Sequence, residues 1–419
     1  KSLVGIEVPN KARGFVHIRE LLEDSKFKKS SKDLLVCLGK DISGESIYAD
    51  LAKMPHLLAA GSTGSGKTIF LNSLILSLVY RNSPQKLKFV LIDPKRVEFS
   101  LYENLPHLLC PPIVDSQKAV YGLKWLVEEM ENRFKVLSSK KSRNIKSYNK
   151  KAVRNDFEQM PYIVLIVDEL ADLMASKGKE VEGLIVRLAQ MARAVGIHLV
   201  LATQRPSVEV ITGLIKANIT SRAAFRVASQ VDSRTILDTS GAETLMGAGD
   251  MLFNSTETNK PRRLQGVYVA EEEIKKLMNW MKGQTAMLKD LEERDETEKS
   301  LQEALDEMEE EEEFGEGPGN GKKDPLFEKA KRIVVKRGRG SGSLLQRKLR
   351  VGYPRAARIL DQLTQEGVVG PSRGSKARKV LISSETYFGN DEDATSEGGR
   401  DSEEQNNDME QNSEERNNS

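Results

Sequence analysis

Short apolar runs alternate with amphipathic stretches from about residue 51 to residue 283. Each run is only a few residues long and ends in turn-forming or charged residues, which is typical of a buried strand. The runs are HLLAA (56–60), LKFVLID (87–93), YIVLIVD (162–168), IHLVLATQ (197–204) and AAFRVA (223–228). Because helical patterns separate them, we predict an α/β fold with a parallel sheet and helices on both of its faces.

Changes in this pattern divide the chain into five predicted segments. Residues 1–50 are mixed in character, and we interpret them as a preface to the larger fold, which spans 51–283. Residues 284–324 are acidic and end in a Gly-rich stretch, which favours a flexible linker, although their leucines could support one helix. Residues 325–382 predict a second folded domain with three short helices and two strands. Residues 383–419 are rich in Asn, Glu and Ser and predict a disordered tail.

Charge is distributed unevenly along the chain. The 419 residues include 64 Lys and Arg and 62 Asp and Glu, which gives a net charge of only +2. Residues 290–316 carry a net charge of −13 and residues 383–419 carry −10, so the remaining 355 residues carry +25. A basic folded part favours a polyanionic partner such as nucleic acid.

Composition argues against several classes of protein. No run approaches the ~20 apolar residues that a membrane-spanning helix needs. Two distant cysteines, Cys37 and Cys110, offer no disulfide framework and favour a reducing compartment. The four histidines and two cysteines have unrelated spacings, so no metal cluster is predicted. The chain begins at Lys1 without a signal peptide, and we interpret it as a fragment or a processed form.

The sequence GSTGSGKT at 61–68 fits the phosphate-loop pattern G-x-x-x-x-G-K-[ST]. A predicted strand precedes it and an apolar helix follows it, so that its backbone N–H groups can point at phosphate oxygens beside a helix N-terminus. Lys67 is expected to reach the β- and γ-phosphates of ATP, and the Thr68 hydroxyl is expected to bind Mg²⁺. The predicted ATP-binding residues are Gly61, Ser62, Thr63, Gly64, Ser65, Gly66, Lys67 and Thr68.

Four further polar residues lie at the ends of three predicted strands. YIVLIVDE ends in Asp168, which we expect to hold the hydration shell of Mg²⁺, and Glu169, which we expect to polarise the attacking water. Gln204 ends the next strand, where its amide could contact both the γ-phosphate and this water. Asp93 also ends a strand, and a role near the nucleotide, a role in a subunit contact and an ordinary turn all remain open.

The small domain at 325–382 is strongly basic, with 15 Lys and Arg against three acidic residues. Its predicted helices are 326–337, 343–350 and 354–366. The third helix has an apolar face made by Ala356, Ile359, Leu360 and Leu363 and a polar face made by Arg355, Arg358 and Gln362. Such a helix suits base recognition in a major groove, with Arg373, Lys376 and Arg378 of the following turn near phosphates. A basic domain that binds DNA loosely or docks a protein is the alternative.

Together these motifs resemble the FtsK/SpoIIIE family of bacterial double-stranded DNA translocases. The resemblance rests on GSTGSGKT, IDPKRVEFSLYENLPHLL, IVLIVDELADLM, ARAVGIHLVLATQRPSVEVITGLIKANI and DSRTILDTSGAETLMGAGDML. RKLRVGYPRAARILDQLTQEGVVGP resembles the small winged-helix (gamma) domain of that family. The resemblance covers 1–283, with 1–50 as part of an alpha subdomain, and 325–382. It implies a RecA-like phosphate-loop motor that closes into a homohexameric ring around double-stranded DNA.

The resemblance also implies roles for single cations. Arg222 resembles the arginine finger that reaches the nucleotide of a neighbouring subunit, although sequence alone does not distinguish it from Arg193 or Arg226. Arg234 and Lys260 resemble pore-loop cations that grip DNA phosphates.

The physiological role implied by the resemblance is ATP-driven DNA pumping that coordinates chromosome segregation with cell division. The winged helix would read short oriented motifs that set the direction, and a site-specific recombinase is a further implied partner. Related sequences usually have YNRAAR where this chain has YPRAAR, so Pro354 leads us to expect a departure from the guanine-rich motif of the family. The family also has an N-terminal membrane-anchoring region, which implies that this chain is the cytoplasmic motor portion of a protein at the division septum.

Three other functions remain open at this point. A related ring ATPase for plasmid transfer or DNA packaging is disfavoured by a winged helix that follows a linker. A DNA-binding regulator in which ATP only switches conformation has less use for Glu169 beside Asp168. A structural chromosome-organising protein would bind DNA without DNA-stimulated turnover.

Overall fold

A computed structural model describes the chain over residues 14–255, 260–288, 301–303, 305–306, 324, 326–349, 353–371 and 377–382. The chain forms two compact units, Lys1–Glu309 and Glu310–Ser419. The boundary between these units lies inside the segment 284–324 that sequence analysis interpreted as a linker.

A nine-stranded sheet organises the first unit. In chain order the strands are β1 (Leu35–Asp41), β2 (Ser46–Asp50), β3 (His56–Ala60), β4 (Leu87–Ile92), β5 (Tyr162–Val167), β6 (Ile197–Thr203), β7 (Ser221–Phe225), β8 (Asp250–Asn254) and β9 (Arg262–Gly266). In space the order is β2-β1-β9-β8-β7-β3-β6-β5-β4. The five strands from β7 to β4 are parallel, and the pairings of β8, β9, β1 and β2 are antiparallel.

The parallel part of the sheet confirms the predicted α/β fold. Its five strands coincide with the five predicted apolar runs to within a few residues. The antiparallel extension was not predicted. It includes β1 and β2 from residues 1–50, so part of this preface belongs to the same sheet as the phosphate loop. β9 has Leu264 as its main buried apolar residue, which explains why its pattern gave little indication of a strand.

Helices cover both faces of this sheet. They are α1 (Ile18–Glu23), α2 (Ser25–Lys28), α3 (Lys67–Arg81), α4 (Ser116–Ser139), α5 (Ile145–Asn155), α6 (Leu170–Met191), α7 (Gly213–Asn218), α8 (Gln230–Leu237) and α9 (Glu271–Leu288). Alternate residues of β3 join different cores: Leu58 packs in the cluster that includes α4 and α6, and Leu57 packs in the cluster that includes α3. Within the described ranges, no helix has both the length and the apolar character that crossing a bilayer requires.

Part of the acidic segment packs against the first unit. Residues 301–303 and 305–306 are helical, and both Leu301 and Leu305 are buried in the core cluster that contains α4 and α6. This stretch of 284–324 is therefore folded onto the core, in line with the helix that the leucines of the segment could support; the role of the rest of the segment as a flexible linker stays a prediction.

The second unit is a small three-helix structure with a short strand pair. Its helices are α10 (Phe327–Arg337), α11 (Gly342–Leu349) and α12 (Tyr353–Gln365), and β10 (Arg339–Gly340) pairs antiparallel with β11 (Arg378–Lys379). The predicted apolar face of the third helix is confirmed, because its four residues are buried in the core of this unit: Ala356, Ile359, Leu360 and Leu363. The three helices lie within one residue of their predicted bounds.

Candidate nucleotide site

The carboxyl ends of the parallel strands bring the predicted nucleotide residues to one edge of the sheet. Gly61 follows β3, Asp168 follows β5 and Gln204 follows β6. The strand ends are aligned, because Ala60 of β3 pairs with Thr203 of β6. In open parallel sheets this edge is where ligands bind.

The phosphate loop has the left-handed backbone that its glycines permit. Gly64 has φ 74° and Gly66 has φ 112°. A side chain at Gly66 would also be blocked, because its Cβ would come within 2.5 Å of the Gly249 nitrogen. Gly249 N–H donates a hydrogen bond of 2.8 Å to the carbonyl of Ser65, so the residues before β8 brace the loop from outside. Helix α3 begins at Lys67, which sets the N-terminus of the helix against the loop.

Neighbouring strands hold the loop from two sides. Ser62 N–H donates to the Arg226 carbonyl at 2.9 Å, next to the end of β7. The Thr63 hydroxyl donates to Gln204 Oε1 at 2.9 Å, next to the end of β6. Gln204 therefore contacts the phosphate loop directly, and its contact with the γ-phosphate stays a prediction.

Lys67 and Asp168 form a buried ion pair. Lys67 Nζ lies 2.8 Å from Asp168 Oδ1 and 2.6 Å from the Asp168 carbonyl oxygen. The other carboxylate oxygen, Asp168 Oδ2, is buried and has no hydrogen-bond partner in the described part of the chain. A buried oxygen without a donor is a ligand that a divalent cation can use, so the site fits the Mg²⁺ that sequence analysis predicted.

Glu169 is buried and surrounded by hydrogen-bond donors. Its Oε1 accepts from the Thr203 hydroxyl at 2.6 Å, and its Oε2 accepts from Lys95 Nζ at 3.1 Å. The Gln204 N–H lies 3.2 Å from both oxygens. Burial by itself raises the pKa of Glu169, but the hydrogen bonds from Thr203 and Lys95 outweigh it and lower the pKa below its ordinary value. Glu169 is thus an ionised acceptor at the edge where a water would attack.

The loop 93–99 also joins this site: sequence analysis left a role near the nucleotide open for Asp93, but it missed Lys95 and Glu98. The Asp93 carboxylate accepts hydrogen bonds from the N–H groups of Lys95, Glu98 and Phe99 at 3.2, 2.8 and 3.0 Å. The loop brings Lys95 to Glu169 and Glu98 to the Thr68 hydroxyl. The sequence did contain a signal for this loop, because several charged residues directly follow β4, which ends at this edge.

Arg222 is held by contacts within its own chain, and its predicted role as an arginine finger stays a prediction. The residue is 8% exposed. Its guanidinium donates to the carbonyls of Ile219, Ile236 and Lys216 and to the Asp238 carboxylate. These contacts join α7, β7 and α8, so they favour a structural role. The alternatives Arg193 and Arg226 are both exposed.

The two predicted pore-loop cations lie away from the phosphate loop in sequence and are accessible. Arg234 is exposed on α8, and Lys260 is exposed between β8 and β9. Their contact with DNA stays a prediction.

In the second unit, the predicted base-reading face of α12 is partly engaged. Arg355 forms an ion pair with Asp324, with Nε 3.0 Å from Oδ2. Gln362 Oε1 accepts a hydrogen bond from the Asp324 N–H at 3.1 Å. Both side chains are therefore held to Asp324, shortly before α10, and their predicted contact with DNA stays a prediction. Arg358 is half-buried and has no carboxylate within ion-pair distance in the described ranges.

The predicted phosphate-binding turn is described only at its end. Arg378 forms an ion pair with Asp361 at 2.7 Å and donates to the Thr364 hydroxyl at 2.6 Å, so it ties β11 to α12. Arg373 and Lys376 lie outside the described residues, and their predicted roles stay predictions.

Two family models match the chain. The model of the FtsK/SpoIIIE family matches residues 17–208, which include the phosphate loop, Asp168 and Glu169. The model described as the Ftsk gamma domain matches residues 321–383, which include α10, α11 and α12.

Curated proteins named DNA translocase FtsK are similar over most of the chain. The protein from Clostridium tetani is 48% identical over 384 residues, which cover 91% of this chain and 50% of that protein. The protein from Haemophilus influenzae is 46% identical over 406 residues, which cover 91% of this chain and 74% of that protein. The chain therefore spans about half the length of the first relative.

Solved structures with the same fold include two at 25% identity or more. The pCW3 conjugation coupling protein TcpA, in a monomer form with ATPγS, is 30% identical with a TM-score of 0.55, over 65% of this chain and 75% of TcpA. The cytoplasmic domain of the type VII secretion ATPase EccC from Thermomonospora curvata is 25% identical with a TM-score of 0.57, over 64% of this chain and 34% of EccC. These similarities support nucleotide binding at the phosphate loop.

Proposed function

This chain belongs to the FtsK/SpoIIIE family of phosphate-loop ATPases, and from that premise we propose that it is an ATP-driven motor that moves double-stranded DNA. The observation that carries the proposal is the edge of the sheet where the phosphate loop, Asp168 and the ionised Glu169 meet. The relatives named DNA translocase FtsK support DNA as the substrate.

Each residue of this edge has a chemical task in the proposed reaction. Mg²⁺, held by the Thr68 hydroxyl and Asp168 Oδ2, would supply positive charge to the phosphates. Lys67 would turn from Asp168 to the β- and γ-phosphates. Glu169 would accept a hydrogen bond from the attacking water, and Gln204 would orient that water from the neighbouring strand.

The proposal extends to assembly and partners. We propose a homohexamer around the duplex, in which the exposed Arg234 and Lys260 contact DNA phosphates and the second unit reads oriented sequence motifs. The basic composition of residues 325–382 supports DNA as the partner of that unit. The proposed role in the cell is chromosome segregation at division, with a site-specific recombinase as a further partner and a membrane anchor in the parent protein.

The test is steady-state ATP hydrolysis with and without long linear double-stranded DNA. We expect a large stimulation that grows with DNA length, because each motor keeps hydrolysing ATP while it travels. Glu169→Ala should abolish it, whereas Glu158→Ala, at an exposed carboxylate that precedes β5, should not. A slow rate that ignores DNA, with DNA binding intact, would favour the nucleotide-switched DNA binder over the motor.

A further inference from the structure

The hydroxyl of Thr68 is already engaged by a carboxylate outside the phosphate-loop pattern. Thr68 Oγ1 donates a hydrogen bond of 3.0 Å to Glu98 Oε1. Glu98 lies 30 residues further along the chain and is only partly exposed. It also interacts electrostatically with Asp168 and Lys67, so it belongs to the same charged cluster.

The loop that carries Glu98 has a defined shape. Asp93, at its start, is 1% exposed, and its Oδ2 accepts hydrogen bonds from the backbone N–H groups of Glu98 and Phe99. Phe99, at its end, is fully buried in the core. Both ends are therefore anchored, and the backbone of Glu98 is fixed relative to the strand edge that carries the nucleotide site.

The same loop contacts the other half of the site. Lys95 Nζ lies 3.1 Å from Glu169 Oε2. The loop 93–99 thus joins the phosphate-loop side, through Thr68, to the water-activating side, through Glu169. A surface turn without a role in the site would not require both contacts.

A threonine hydroxyl has one proton to donate and two lone pairs. When Glu98 accepts the hydrogen bond from Thr68, the lone pairs of the hydroxyl oxygen are left for a cation, and the hydroxyl cannot rotate to other acceptors. Acceptors behind a metal ligand orient that ligand and raise its basicity. We propose that Glu98 is a positioning residue that orients the Thr68 hydroxyl toward the divalent cation that accompanies the nucleotide. This inference rests on the proposed function and adds a residue to its site.

The test is the affinity of the full chain for ATPγS, measured by calorimetry once with Mg²⁺ and once with EDTA. The ratio of the dissociation constant in EDTA to the dissociation constant in Mg²⁺ isolates the contribution of the cation. We expect Glu98→Ala to reduce this ratio by about 10- to 100-fold without weakening the affinity in EDTA. Glu98→Gln should keep most of the ratio, because its amide oxygen accepts the same hydrogen bond. Glu103→Ala, at an exposed residue shortly after the loop, is the matched control.

Two results would overturn the inference. A wild-type ratio in Glu98→Ala would mean that Thr68 needs no acceptor. A ratio as low in Glu98→Gln as in Glu98→Ala would mean that negative charge, and not orientation, is what Glu98 supplies. The affinity in EDTA reports whether each variant is folded. If the wild-type chain itself gained nothing from Mg²⁺, and Thr68→Ala changed nothing, the proposed nucleotide site would fail and the inference with it.

Discussion

Lys67 Nζ and Asp168 Oδ1 lie 2.8 Å apart in an ion pair from which solvent is excluded, with the two side chains 3% and 0% exposed. Each charge neutralises the other in the absence of nucleotide. Removing one partner therefore leaves a buried charge without compensation, which is more costly than removing both.

The first prediction concerns the stability that this pair contributes. Without nucleotide, Lys67→Met should lower the free energy of unfolding by about 3 kcal/mol. Lys67→Met combined with Asp168→Asn should lower it by clearly less than the sum of the single effects, because no unpaired charge remains. Urea unfolding followed by circular dichroism gives the free energies of unfolding of Lys67→Met, of Asp168→Asn and of the double variant. Additive effects would contradict an energetic coupling between the two residues.

The second prediction separates two roles for Arg222. Because its guanidinium donates to three carbonyls and to Asp238, Arg222→Ala should lower the free energy of unfolding by about 4 kcal/mol, at about 1 kcal/mol for each of the four lost hydrogen bonds. ATP hydrolysis per folded molecule should survive. Arg193→Ala, at an exposed arginine, is the control for stability.

An arginine finger would behave differently in the same experiment. Its loss should reduce DNA-stimulated hydrolysis by about 10³-fold or more without affecting stability. That result for Arg222→Ala would confirm the arginine-finger role that the family resemblance implies and would contradict a purely structural role.

The third prediction concerns three buried histidines. Burial lowers the pKa of His56 to about 3 and the pKa values of His107 and His198 to about 4. The folded protein therefore keeps them neutral where the unfolded chain, with pKa values near ~6.5, takes up protons. The free energy of unfolding should be constant above about pH 7.5 and should fall as the pH decreases, by up to about 1.4 kcal/mol per pH unit for each histidine.

Urea unfolding between pH 5 and pH 7.5 measures this slope. His198→Gln should reduce the slope by about one third if the variant folds, since one of three sites is removed. A free energy of unfolding that does not change between pH 5 and pH 7 would contradict the predicted uptake of protons on unfolding.

The fourth prediction ranks the arginines of α12. Arg358→Ala should weaken binding of the chain to its preferred duplex by about 1–3 kcal/mol, as expected for loss of a base or phosphate contact. Arg355→Ala should weaken it less, because Arg355 is paired with Asp324. Fluorescence anisotropy at a fixed salt concentration gives both values. The reverse order would mean that DNA displaces Asp324 from Arg355.

Local chemistry explains what could be predicted before the structure. A phosphate loop needs its glycines, Lys67 and Thr68 in one short run, so a pattern of eight residues identifies it. The buried strands and the apolar face of α12 follow from periodicity over a few residues, which is why the parallel strands and α12 agree with their predicted positions.

Contacts between distant residues required the tertiary structure. Lys67 meets Asp168 across 101 positions, and Thr68 meets Glu98 across 30. Such meetings depend on the order of strands in the sheet, which an apolar pattern does not specify. For the same reason the structural contacts of Arg222, the pairing of Arg355 with Asp324 and the entry of β1 and β2 into the sheet were not predicted. The sequence does not show which residue a charged side chain will pair with, because the fold brings the partners together. In this protein those pairs determine which charged residues are available for function.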